Sequence, residues 1–277
     1  MIYTEAYFKI SPLQPAMEIL IAELSELGFE SFIEEEEGLK AYIQGEDFSV
    51  ETLNGLFVLE NPEFTISYKL KTIPEENWNA KWESDYDSVL IDQRCYIRAP
   101  FHPSKPEVEF EILIEPKMSF GTAHHETTSQ MIQLLMDEDV TNKSVLDMGC
   151  GTAVLAILAK LKKADKVVAI DNDEWAYNNA LENVNVNGFS DIVVQQGDAS
   201  LLQGQMFNLI LANINKNILL ADMKSYSKSL LNNGVILFSG FYENDLNDIK
   251  TKALECGLSY KTQLVDNKWI AAKFYKK

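Results

Sequence analysis

The chain has 277 residues, 46% hydrophobic and 24% charged, a globular composition that excludes wholesale disorder and fits one large domain or two unequal ones. It carries 24 Lys+Arg against 42 Asp+Glu, a net charge of −18. That balance argues against a nucleic acid or an anionic lipid surface as the main partner, because both are held by basic side chains.

The charge is unevenly placed. Residues 1–66 hold 14 acidic and 2 basic residues, a net of −12, and the remainder holds 28 acidic and 22 basic, a net of −6. Acid serves solubility; concentrated in the front quarter, it also suits a basic protein or peptide partner. The three cysteines, Cys95, Cys150 and Cys256, form neither a disulfide framework nor a CxxC metal pair. The first residues, MIYTEAYFKISP, lack the basic start and apolar core of a secretory signal. No run approaches the ~20 apolar residues of a membrane span. A reducing cytoplasm fits all of this, and nothing suggests an obligate oligomer, so a monomer is expected.

In chain order, residues 2–10 alternate and predict a strand, and 12–28 place Leu13, Met17, Leu20, Ile21, Leu24 and Leu27 at helical spacing before Gly28. FESFIEEEE, a turn at Gly38 and LKAYIQ read as a hairpin, 47–60 as a helix and 63–71 as a closing strand. Strand, helix, strand, strand, helix, strand is the order of the ferredoxin-like unit. Glu34 to Glu37 is expected at a solvated strand end or turn, with a docking face as the second reading. In 74–86, Trp78 and Trp82 stand four apart and share a face if the segment is a linker helix.

From 87 the pattern changes. SVLI, CYIRAP and FEILIE precede the loop EPKMSFGTAHHETT, and strands then alternate with helices at 153–162, 173–187, about 215–231 and about 243–256. Such alternation builds βαβ units around a parallel sheet. Two last strand-like runs, parted by Asp266-Asn267, predict an antiparallel edge hairpin. The expected organisation is a small α+β domain at 1–72, a linker helix at 73–86 and an α/β, Rossmann-like domain at 87–277.

The densest signal is VLDMGCGTAVLAILA, residues 145–159: an apolar strand enters the turn Gly149-Cys150-Gly151 and leaves as a helix. Gly149 permits the tight turn, Gly151 lets backbone approach a ligand, and the helix N-terminus supplies free N–H donors. Val154 stands where the dinucleotide fingerprint needs its third glycine, which disfavours NAD, and no Walker lysine follows. Asp171 ends the second strand 20 residues past Gly151, where a carboxylate can accept from both ribose hydroxyls, while Asp173 is placed to cap the next helix. Asp198-Ala199 follows the third strand, where a carboxylate can meet an exocyclic amine. Asn213-Ile214 ends the fourth, where open α/β sheets bind ligands. Glycine loop, ribose acid, adenine-side acid and strand-four asparagine together describe a site for S-adenosylmethionine.

EPKMSFGTAHHETT, VLDMGCGTAVLAI, AIDNDEWAYNNALENVNVNG and LILANI resemble the methyltransferases that modify large-subunit ribosomal protein eleven (PrmA), and the acidic front and Trp-bearing linker extend the resemblance over essentially the whole chain. The resemblance implies a class I methyltransferase domain. It places cofactor contacts on Thr128, Gly149, Asp171 and Asn213, and folds the loop Phe120, Gly121, Thr122 over the ligand. It also implies a front domain that recognises the ribosomal protein, and methylation of lysine ε-amines and the N-terminal α-amine up to the trimethyl state. The family's FGTG is FGTA here, so Ala123 costs loop freedom if that position needs positive φ. Asn213-Ile214 lacks the Pro-Pro-aromatic of amide and adenine methyltransferases, which points away from those substrates.

Methyl transfer from a sulfonium is an in-line displacement, so the enzyme mainly positions a neutral amine. The Asn213 side-chain carbonyl, with nearby backbone carbonyls, is expected to orient that amine, with water taking the proton. His124 and His125 read as loop packing or hydrogen bonding rather than a metal pair, since adjacent residues rarely face one ion. Cys150 reads as a small filler, and Met118 and Phe120 either cover the cofactor or pack in the core. Two rival readings stay open: a methyltransferase of another basic protein, a small molecule or RNA, and a non-catalytic S-adenosylmethionine-binding adapter.

Overall fold

A computed structural model describes residues 3–45, 49–73, 86–117 and 119–277. Trp78, Trp82, the expected linker helix up to residue 85 and Met118 lie outside the described residues. The chain divides into two compact units, Met1–Asp85 and Tyr86–Lys277.

The first unit runs β1 (Tyr3–Ser11), α1 (Ala16–Glu26), β2 (Ser31–Glu35), β3 (Gly38–Gln44), α2 (Val50–Asn54), α3 (Phe57–Glu60) and β4 (Thr65–Ile73). Its antiparallel sheet has the order β2-β3-β1-β4. Alternate residues of β1 and β3, among them Ala6, Phe8, Leu39 and Ala41, bury one sheet face against Met17, Leu20 and Leu24 of α1 and Leu53 and Val58 of the short helices. The helix begins later than its apolar spacing predicts because Pro15 occupies its N-cap. The single helix expected at 47–60 is two short ones, divided where Gly55 ends α2. Of the glutamate run, Glu35 pairs with Lys40 and Glu37 with Lys9 at 2.6 Å, whereas Glu34 and Glu36 are exposed at the strand end and turn.

The second unit opens with a three-stranded sheet, β5 (Val89–Ile91), β6 (Cys95–Arg98) and β7 (Phe110–Leu113). There follow α4 (Glu126–Met136), β8 (Ser144–Met148), α5 (Val154–Leu161), β9 (Lys166–Asp171), α6 (Glu174–Val186), β10 (Ile192–Gln196), β11 (Phe207–Asn213), α7 (Lys216–Ser229), β12 (Leu230–Tyr242), α8 (Leu246–Glu255), β13 (Leu258–Asp266) and β14 (Trp269–Lys276). The seven-stranded sheet has the order β10-β9-β8-β11-β12-β14-β13. It is parallel through β12, then antiparallel for β14 and β13. Its strands are apolar on both sides, as in the buried run Val167–Ile170, because helices cover both faces. One face packs α4, α5, α6 and the small sheet; the other packs α7 and α8.

This topology positions the site. From β8 the chain proceeds outward through β9 and β10, then returns across β8 to β11 and β12. The order therefore reverses between β8 and β11, and at such a reversal a crevice opens beyond the carboxyl ends of the strands.

Candidate functional site

A cleft of about 330 Å³ lies at that reversal, within the size range of ligand pockets. Its floor comes from successive strand ends: Gly149 after β8, Asp171 of β9, Asn213 of β11 and Gly240 in β12. Its wall is Phe120, His125 and Trp269.

The glycine turn is held by the strand beside it. Gly149 and Cys150 N–H both donate to the Ile170 carbonyl, at 2.8 and 3.0 Å. Gly149 has φ +69°, and a Cβ there would lie 2.1 Å from Ile214 Cγ2; Gly151 has φ +52°, and its Cβ would lie 2.2 Å from the Phe120 carbonyl oxygen. The absent side chain at Gly151 thus admits the protein's own loop. Thr152 fixes the same loop: its N–H donates to the Phe120 carbonyl at 2.9 Å and its hydroxyl to the Gly121 carbonyl at 2.7 Å.

Asp171 is almost fully buried and holds two backbone N–H groups, from Gly151 at 2.8 Å and Asp173 at 3.1 Å. Asp173 itself caps α6 by accepting from Ala176 N–H at 2.9 Å. Helix α5 has no cap of its own, because Ala153 at its N-cap carries no acceptor. Asp147 of β8 supplies one from outside, accepting the Ala156 N–H at 3.0 Å. Burial foremost, and next the neighbouring Asp171 charge, push the Asp147 carboxyl up to about 8 against the restraining Ala156 hydrogen bond. The folded protein therefore keeps a proton that the unfolded chain releases near pH 4. Stability from this group is greatest below pH 4 and declines as pH rises to about 8, by on the order of a few kcal/mol. Asp147→Asn keeps the acceptor without the charge. In urea unfolding of the ligand-free protein it is expected to exceed the wild type at pH 8 and to match it near pH 4; a pH-independent gap would refute this.

Asn213 Nδ2 donates to Thr128 Oγ1 at 3.2 Å, and its Oδ1 is buried without a partner. A buried amide oxygen without a donor is costly, and this one belongs to a residue of the cleft lining, so it suits a ligand donor. His125 sits between Phe120 and Trp269, ring centroids 5.3 and 4.8 Å away, and Tyr242 stacks on Trp269 at 3.9 Å. Electron-rich ring faces of this kind attract cations. His125 also caps α4, its Nδ1 accepting from Thr127 N–H at 3.2 Å, while His124 meets Thr122 Oγ1 at 3.0 Å and the Asp87 carbonyl at 2.9 Å. Among the described residues no group of three His, Cys, Asp or Glu is arranged to hold a metal. Burial raises the Cys150 thiol well above its ordinary range, so it is no nucleophile.

Of the residues singled out from sequence, Phe120, Gly149, Asp171 and Asn213 line the cleft directly. Gly121, Thr128 and Gly151 support it through the hydrogen bonds given, and Thr122 through its contact with His124. Asp198 and Ala199 are not in its lining. Asp198 is exposed and spends its carboxylate on Ser200 N–H at 2.8 Å, while Ala199 borders a separate hollow with Leu202 and Ser229. Trp269, Gly240, Asn172 and Asn215 line the cleft and had no sequence signal. Trp269 is 56 positions beyond Asn213 and arrives only because β14 inserts beside β12, opposite Tyr242.

The sequence profile described as ribosomal protein L11 methyltransferase (PrmA) matches residues 17–277. The chain belongs to this family. Members similar to it include the ribosomal protein L11 methyltransferases of Bacteroides fragilis, 45% identical over 98% of this chain and 99% of that protein, and of Chlorobaculum parvum, 35% identical over 92% and 91%. The crystal structure of a ribosomal protein L11 methylase from Lactobacillus delbrueckii subsp. bulgaricus matches 69% of this chain and all of that one, with a TM-score of 0.64 and 27% identity. As a member of the L11 methyltransferase family the chain is an S-adenosylmethionine-dependent methyltransferase with an α/β catalytic fold. Among the described residues no helix is long and apolar enough to cross a membrane.

Proposed function

We propose that the chain transfers methyl groups from S-adenosylmethionine to the lysine ε-amines and N-terminal α-amine of ribosomal protein L11 in the cytoplasm, acting as a monomer. The observation that carries this reading is the unpartnered Asn213 Oδ1, belonging to an aromatic-walled cleft that also contains Asp171. The residues suit the cofactor: Asp171 offers acceptors to ribose hydroxyls, Gly149 gives the close turn, Thr128 orients Asn213, and the loop Phe120–Thr122 covers the ligand. When bound, S-adenosylmethionine supplies an electrophilic methyl on a sulfonium.

The protein's own part is positioning. Asn213 Oδ1 accepts an N–H of the incoming amine and turns its lone pair toward the methyl carbon, a positioning effect worth several kcal/mol when reacting atoms are held at about 3–3.5 Å. A lysine of ordinary pKa, about 10.4, must lose its proton first. Asn213 cannot take it, so water does. Phe120 and Trp269 wall the cleft, and their rings favour the methylated ammonium that each transfer leaves.

In this reading 1–72 is a ferredoxin-like docking domain, 73–86 a linker and 87–277 a class I methyltransferase domain whose sheet ends in the β13–β14 hairpin. The strand order β2-β3-β1-β4 with helices on one face supports the first assignment. The excess acid of the first 66 residues, a net of −12, supports docking of a basic protein there. A radiolabelled methyl-transfer assay with purified L11 tests the whole reading. Label is expected in lysine and in the α-amine, with KM for L11 rising between 50 and 300 mM salt and KM for the cofactor nearly constant, because exposed charge is screened over about 10 Å at 0.1 M. Transfer to another basic protein or a small molecule but not L11 would overturn the substrate assignment. Binding without transfer would make the chain an adapter.

A further inference from the structure

Three asparagines, Asn179 and Asn183 of α6 and Asn187 at its C-cap, stand four residues apart and share one helix face. All three meet the extended chain that leaves β7. Asn187 Oδ1 accepts from Leu113 N–H at 2.9 Å, and its Nδ2 donates to the Leu113 carbonyl at 2.6 Å. Asn183 Oδ1 accepts from Glu115 N–H at 2.8 Å, and Asn179 Nδ2 donates to the Glu115 carbonyl at 3.3 Å. Lys117 pairs with Glu182 of the same helix. The spacing has a simple cause. Four helical residues rise about 6 Å and two extended residues about 6.6 Å, so amides at every fourth helical position match the backbone groups of alternate extended residues. The helix thereby acts as a neighbouring strand made of side chains.

The ladder reaches the cleft without lining it. Asn183, fully buried, also donates from Nδ2 to the Thr152 carbonyl at 3.0 Å. Thr152 in turn holds the Phe120 and Gly121 carbonyls. One side chain therefore ties the chain leading into the cleft loop to the glycine turn on which that loop rests. At the cleft end the ladder is incomplete. Asn179 is 1% exposed, and its Oδ1 is buried with no partner. The two-residue repeat, 113 then 115, points to residue 117 as the next donor, Pro116 having no N–H.

We propose that Asn179, Asn183 and Asn187 are positioning residues for the loop Phe120–Thr122, and that Asn179 Oδ1 accepts the Lys117 N–H as a last rung when the cofactor occupies the cleft. The proposal rests on the cleft reading given above. Ligand binding then recovers a hydrogen bond that the free protein leaves unmade, and part of the affinity comes from a residue that touches no ligand atom.

The test is titration of the full chain with S-adenosylhomocysteine, read by calorimetry and thermal unfolding. Asn179→Ala is expected to change the unliganded Tm little, since removing an orphan acceptor offsets the lost bond to the Glu115 carbonyl, while the affinity falls about tenfold and the ligand-induced rise in Tm shrinks. Asn183→Ala is expected to weaken binding about tenfold and Asn187→Ala by about threefold or less, although both lose similar Tm, because only Asn183 reaches the glycine turn. Undiminished affinity in Asn179→Ala overturns the proposal, as does affinity that merely follows Tm across Asn183→Ala and Asn187→Ala. Should Asn183→Ala not fold, Asn179→Ala decides alone. A wild type that fails to bind S-adenosylhomocysteine removes the cleft reading and this proposal with it, whereas a binding wild type with unaltered Asn179→Ala removes the ladder only.

Discussion

Asp171→Ala is expected to abolish useful cofactor affinity, raising the Kd for S-adenosylmethionine about 100-fold or more. Hydrogen bonds to a charged group contribute about 1.5–3 kcal/mol each, and two ribose hydroxyls would lose theirs together. A second loss adds to the first. The same carboxylate holds Gly151 N–H at 2.8 Å, so its removal also frees the glycine turn that shapes the cleft floor. Asp171→Asn separates the two effects: it keeps one acceptor for Gly151 and forfeits charge, and it should fall between wild type and Asp171→Ala. Calorimetric titration with S-adenosylhomocysteine measures both, and full affinity in Asp171→Ala would refute the site.

The second large effect is on turnover. Asn213→Ala is expected to lower kcat by about 100-fold, the scale of a misplaced reacting group, with a much smaller change in cofactor Kd. Its loss removes the only polar side-chain atom of the cleft shown to be buried without a partner among the described residues. It also strands Thr128 Oγ1, which now accepts from Asn213 Nδ2. In wild type and variant alike the rate should rise from pH 7 to 10, because water removes the amine proton before transfer and Asn213 plays no part in that step. A flat profile with intact binding would refute this assignment of the proton. An Asn213→Ala enzyme with full kcat would refute the orienting role.

Both effects concern residues that local pattern singled out, for a physical reason. Asp171 and Asn213 end parallel strands, and any residue at the carboxyl end of such a strand beside the reversal point must face the crevice. The glycine turn is equally local, since strand, turn and helix are contiguous in 145–159. Asp198 also follows a strand, yet it lies outside the cleft lining, because β10 stands two strands away from β8 and the reversal point. Trp269 and Gly240 are the opposite case, as their place in the cleft depends on β14 inserting between β12 and β13, a pairing no local pattern encodes. The helix limits moved where backbone chemistry outranked apolar spacing, at Pro15 and Gly55.

Ala123 and Ala153 share a further property. Both are buried, both stand beside the cleft, and both hold positive φ, +68° and +63°. A left-handed alanine costs roughly 1–2 kcal/mol, so the cleft loop and the glycine turn each carry conformational tension that the sheet core beneath does not. Protection against hydrogen exchange follows local opening energy, and that tension lowers the opening energy of these two turns relative to the sheet core. In a hydrogen-exchange measurement these two turns are expected to open before the sheet core, and a ligand that contacts both is expected to slow their exchange.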